Sequence, residues 1–135
     1  MKNTLTPNLL STYIKVSAIP VFIEQESSHS DGRYIWSYQI KIENSSDSTV
    51  QLHSRYWKIT DSFGRCHEVR GQGVIGEQPI LQPGDVFEYT SATSLTSPSG
   101  IMEGFYDMKD DEGQAFKVQI PVFSLDSPYE KRTLN

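Results

Sequence analysis

The feature that most constrains this chain is a strict alternation of side-chain character over residues 34–43. Tyr34, Trp36, Tyr38, Ile40 and Ile42 share one parity, and Ser37, Gln39, Lys41 and Glu43 share the other, with Ile35 the exception. Successive strand side chains point to opposite faces, so this pattern demands a strand with one dry and one wet face. An antiparallel sheet packed on a second layer supplies those two faces. The pattern returns near the C-terminus, where Phe116, Val118, Ile120 and Val122 alternate with Lys117, Gln119 and Pro121, and again over residues 101–108.

Further strands are expected at residues 13–23, 50–60, 66–70 and 86–95, all rich in β-branched and aromatic side chains. Turn signals separate them at residues 31–32, 44–48, 61–64, 83–84, 98–100 and 110–113. No segment carries a sustained helical period. About seven short antiparallel strands with regularly spaced turns predict an all-β, immunoglobulin-like sandwich. The cysteine pair of antibody domains is absent, which favours the fibronectin type III variant. We expect one domain over residues 12–125, flanked by flexible polar tails at residues 1–11 and 126–135.

The 135 residues suffice to bury roughly two thirds of the unfolded surface, so no disulfide or structural metal is required. The single cysteine, Cys66, forbids an intrachain disulfide and fits a reducing compartment. A net charge of -5 argues against non-specific grip on a nucleic-acid backbone. No apolar run reaches 18 residues, which excludes a helical membrane span, and the first ten residues do not read as a secretory leader. The expected location is cytoplasmic.

The string Gly71-Gln72-Gly73-Val74-Ile75-Gly76 matches G-x-G-x-x-G. In dinucleotide folds such glycines let the backbone approach a pyrophosphate at a helix N-terminus. The helix is excluded here, because Pro79, Pro83 and Gly84 come within the next eight residues. Two readings remain: a glycine loop needing unusual backbone angles, or an anion-binding loop of consecutive backbone amides with Arg70 supplying charge. Gly71, Gly73, Gly76 and Arg70 are therefore the candidate pyrophosphate-binding residues.

Other chemistry is thinner. Cys66 and His67 are adjacent, but on a strand they face opposite ways, one to the core and one to solvent. His29, His53 and His67 lie in no zinc-type spacing, so no metal site is assigned. The acidic residues 110–112, with Gly113 next, fail the EF-hand pattern and read as a hairpin turn. Glu103 and Asp107 show no sign of converging. In the run Arg55-Tyr56-Trp57, either aromatic can be the core residue.

Four segments, residues 52–64 (LHSRYWKITDSFG), 68–95 (EVRGQGVIGEQPILQPGDVFEYTSATSL), 97–108 (SPSGIMEGFYDM) and 120–125 (IPVFSL), together resemble the bacterial ApaG family, with weaker similarity from about residue 16. Tyr56, Ala92 and Ser97 stand where that family often has histidine, glycine and threonine. The resemblance implies a fibronectin type III-like sandwich without established catalysis. It implies an association with cobalt tolerance and magnesium efflux, and with neighbours that hydrolyse diadenosine tetraphosphate. Related domains in eukaryotic F-box proteins look like protein-interaction modules.

These readings combine into an expectation of a non-catalytic binding or regulatory module that contacts a protein partner and requires no cofactor. The alternative is a sensor of pyrophosphate-bearing nucleotides acting through the glycine loop. An enzyme has the least support, since no nucleophile, base and acid can be named together.

Overall fold

A computed structural model describes residues 6–130. The chain runs α1 (Pro7–Thr12), β1 (Ile14–Phe22), β2 (Tyr34–Asn44), β3 (Val50–Asp61), β4 (Cys66–Gln72), β5 (Ile80–Leu81), β6 (Val86–Leu95), β7 (Gly100–Asp110) and β8 (Ala115–Leu125). A 3-10 turn at Glu24–Glu26 lies after β1. All seven expected strands are present, and the two residues of β5 add an eighth. Every pairing is antiparallel.

Two sheets face each other. One has the order β1-β2-β6, and the other has β4-β3-β7-β8 with β5 joining the edge of β3. In antibody constant domains the fourth strand stays with the first sheet. Here β4 sits beside β3 instead, the arrangement expected of the fibronectin type III variant. The alternating residues of β2 form the centre of the core: Tyr34, Trp36, Tyr38, Ile40 and Ile42 are all buried. They pack against Trp57, Met102, Tyr106 and Val118 of the facing sheet. Each such side chain contributes on the order of 2 kcal/mol by leaving water.

The ends differ from the expected flexible tails. Residues 1–5 and 131–135 lie outside the described part, but residues 7–12 form α1, capped by the Thr6 hydroxyl, which accepts from Leu9 N at 3.3 Å. Its buried Leu10 joins the core. A threonine before a proline at the first helical position is a legitimate start signal. Six residues are too few to show a period. At the other end the Trp36 indole donates to Asp126 O at 2.7 Å, and the Tyr129 ring stacks on His29 at 4.4 Å.

Along one side of the sandwich β1 and β8 pack closely. Along the other, β4 and β6 do not pair, and the sandwich stays open. Nearly all of β4 is solvent-exposed, including the face turned toward the opposite sheet. The polar side chains that face each other across this open seam are the ones available for binding.

Candidate functional site

The seam's chemistry is set by an irregularity in β3. Leu52 pairs with Met108 and Ser54 with Asp107, so His53 is an extra residue in a β-bulge. A bulge reverses the parity of the residues after it. Val50 and Leu52 face the core before it; Arg55, Trp57, Ile59 and Asp61 face inward after it, opposite Tyr106, Gly104, Met102 and Gly100. Trp57 is therefore the core aromatic, and Tyr56 lies on the outer face, stacked on Phe105 at 4.9 Å.

Inward Arg55 meets the glycine loop. Its Nη1 donates to Gln72 O at 3.1 Å and to Gly73 O at 2.8 Å. The guanidinium lies so close to Gly71 that a Cβ there would stand 2.7 Å from Nη1. At Gly73 the backbone has φ +63, and a Cβ would stand 2.2 Å from Glu77 O. Gly73 is thus required by close approach to backbone, whereas at Gly71 the neighbour is the movable end of the Arg55 side chain. Val74 and Glu77 exchange backbone hydrogen bonds of 2.8 and 2.9 Å around Ile75 and Gly76, whose φ values of 43 and 79 make a two-residue hairpin turn. Positive φ in a β-branched residue is a strained conformation.

Gly73 and Gly76 lie in one loop and Gly71 in the end of β4 that leads into it, but Arg70 points away. Its guanidinium sits 4.3 Å over the Tyr56 ring, on the outer face of the sheet, opposite in direction to Arg55. One of the expected anion-binding amides is also committed. Gly73 N donates to His53 O at 2.8 Å, and Val74 and Glu77 bond each other. The arginine that the loop holds is Arg55, which sequence reasoning treated only as a neighbour of two aromatics.

A cavity of about 280 Å³ opens beside this loop, lined by Arg55, Tyr38, Tyr89, Ser91, Gln72 and Gly76, among others. The hydroxyls of Tyr89 and Tyr106 bond at 2.5 Å. Burial pushes both phenols above their ordinary values, and it outweighs the opposing charge of Arg55, so both stay protonated.

At the other end of the seam a cavity of about 610 Å³ is lined by Asp31, Arg33, Arg65, His67 and Thr96. There Arg65 Nε donates to Asp61 Oδ2 at 2.7 Å, and Nη2 reaches Thr96 Oγ1 at 2.9 Å. Asp61 Oδ1 accepts from the amides of Phe63 and Arg65, both at 2.9 Å. Burial raises the Asp61 carboxyl, but these donors and the Arg65 charge outweigh it and hold the group below the usual carboxylate range.

The remaining candidates resolve simply. Cys66 and His67 are both exposed, so neither is the core residue expected of one of them. Among the described residues no group of three or more histidine, cysteine or acidic side chains is placed to hold a metal. Asp110 Oδ1 accepts from Glu112 N and Gln114 N, both at 2.9 Å, which spends that carboxylate on a hairpin turn. Asp107 is bound by Lys117 at 2.8 Å and Ser54 at 2.9 Å, while Glu103 stands 3.9 Å from Lys58. Their carboxylates are engaged separately. No described helix is long and apolar enough to cross a membrane.

The family model for the ApaG domain matches residues 24–110. The chain is 52% identical over 122 residues to Protein ApaG of Paramagnetospirillum magneticum, covering 90% of this chain and 94% of that one. It is 53% identical to Protein ApaG of Methylocella silvestris over the same shares. Its fold is similar to the crystal structure of the putative ApaA protein from Bordetella pertussis, with TM-score 0.84, 40% identity, and coverage of 87% of this chain and 95% of that one.

Proposed function

Because this chain belongs to the ApaG domain family, whose model and relatives span most of its length, we propose that it is a non-catalytic binding module that receives a protein partner along the open seam. The observation that carries this reading is the free edge of β6. This strand is ten residues long and, among the described residues, pairs only with β2. Edge strands are ordinarily guarded by charge, proline or a covering segment. Here Thr90, Ser91, Ala92, Thr93 and Ser94 are small and uncharged, and across the seam β4 is exposed. An extended partner segment can add its backbone to such an edge.

The non-catalytic part is supported by the lack of any converging nucleophile, base and acid among the described side chains: Cys66 and His67 face opposite sides of β4. A link to cobalt tolerance or magnesium efflux then runs through the partner, in the cytoplasm. The alternative, a sensor of pyrophosphate-bearing nucleotides, loses support where the Gly73 amide is already bonded and Arg70 caps Tyr56.

The test is site-specific photocrosslinking in cells, with the probe at Ala92 on β6 or at Ser17 on β1. One partner band from Ala92 and none from Ser17 is the expected outcome. Equal labelling from both positions, or none from Ala92, would sink the reading.

A further inference from the structure

The cavity beside the glycine loop contains an arginine without a counter-charge and hydroxyls without acceptors. No carboxylate pairs with Arg55 among the described residues, whereas Arg65, Lys58 and Lys117 each have one. The guanidinium has five N–H donors. The two on Nη1 are used by Gln72 O and Gly73 O. Nε–H and the Nη2 hydrogens remain, and two of them lie parallel along one edge of the planar group. That edge matches the two oxygens of a carboxylate.

The tyrosine pair adds a donor beside it. Tyr106 has no exposed surface. Were Tyr89 the donor in their mutual bond, the Tyr106 proton would be buried with no acceptor, at a cost of about 1–3 kcal/mol. Tyr106 therefore donates to Tyr89, and the Tyr89 proton is left for the cavity that Tyr89 lines. Tyr38 and Ser91 line the same space, and neither hydroxyl has a hydrogen bond within the described protein. Arg55 is the one cationic side chain in the lining, so its single charge is matched by a monoanion better than by a phosphate dianion.

We propose that Arg55 and Tyr89, with Ser91 beside them, form a binding site for a single carboxylate. This deepens the seam reading and rests on it for the source of the group: an acidic side chain of the partner segment lying along β6. A free small carboxylate offers the same chemistry.

The test is an NMR titration of the full chain that reads the Arg55 Nε–Hε resonance and the amides of Gly73, Ile75 and Gly76. The probes are acetate, inorganic phosphate, chloride at matched ionic strength, and two extended peptides that differ only in glutamate versus glutamine. Acetate is expected to give a saturable shift in the millimolar range, and chloride none. The shift should vanish in Arg55→Met and weaken about tenfold in Tyr89→Phe, which removes one oxygen and keeps the ring. Tighter binding of the glutamate peptide than of acetate assigns the partner segment as the source; equal binding of the two peptides, with acetate still saturating, assigns a free carboxylate. The proposal is overturned if acetate gives no saturable shift, if phosphate binds more tightly, or if Arg55→Met leaves the shift intact. A partner crosslinked at Ala92 without any acetate response would sink the carboxylate site and leave the seam reading standing.

Discussion

Arg65 and Arg55 stand at opposite ends of one open seam, and the environments they meet are opposite. Arg65 is paired within the protein, on the rim of the larger cavity. It is joined to Asp61 at 2.7 Å and to Thr96 across the sandwich, tying the β3–β4 turn to the segment after β6. Arg55 has two backbone carbonyls for company and no carboxylate. A charge whose donors are engaged by its own protein has little left to offer, whereas one that is only half satisfied can still pair with something else. The seam thus has one end where the arginine is paired and one, receptive in our reading, where it is not.

The largest effect that can break this comparison belongs to the receptive end. Gly73→Ala forces a Cβ into Glu77 O at positive φ and is expected to cost about 3 kcal/mol. Gly76→Ala, where the added Cβ meets nothing within 4 Å, should cost about 1 kcal/mol. Urea unfolding separates the two. Similar losses would show that the loop is not built around the close approach at Gly73.

Next comes the arginine comparison itself. Asp61→Ala removes the acceptor of two backbone amides and a guanidinium, and should lower Tm well below that of Arg55→Met. Arg55→Met should cost about 1–2 kcal/mol, because it removes two hydrogen bonds to loop carbonyls but no ion pair. The reverse order would make Arg55 the structural residue.

The acid limb of stability sharpens the same contrast. The folded Asp61 carboxyl lies below its ordinary value of 3.8. Its stabilisation is therefore complete above that pH and disappears as pH falls through the folded value. Urea midpoints from pH 6 down to about 2 should fall less steeply in Asp61→Asn than in the parent protein, while Arg55→Met should track the parent.

The smallest effect is at the hairpin tip. Ile75→Asn relieves a β-branched residue at φ 43 and should stabilise the protein by about 0.5–1 kcal/mol. A loss of stability would mean that the exposed isoleucine packs where the structure shows it free.

Much of this was legible in the chain. The alternation over residues 34–43 names the buried face of β2 correctly, and β6 begins and ends where its composition predicts. The turn at residues 110–113 closes as its residues require. The candidate site was read less well. The glycine string was found, but its arginine was taken as Arg70, the sequence neighbour, when the loop's partner in space is Arg55. α1 escaped because six residues are too few to show a helical period.

The sequence by itself determined the seven long strands and the family, because period-two patterning and turn chemistry are local and repeat along the chain. It could not determine which side of β3 faces inward, since residues 53–60 mix polar and aromatic side chains on both parities. That choice was made by β7, whose pairing leaves His53 unmatched and turns Arg55 into the sandwich. The open seam was likewise decided in three dimensions. β4 and β6 come to face each other as uncovered edges only once each has taken its place in a different sheet.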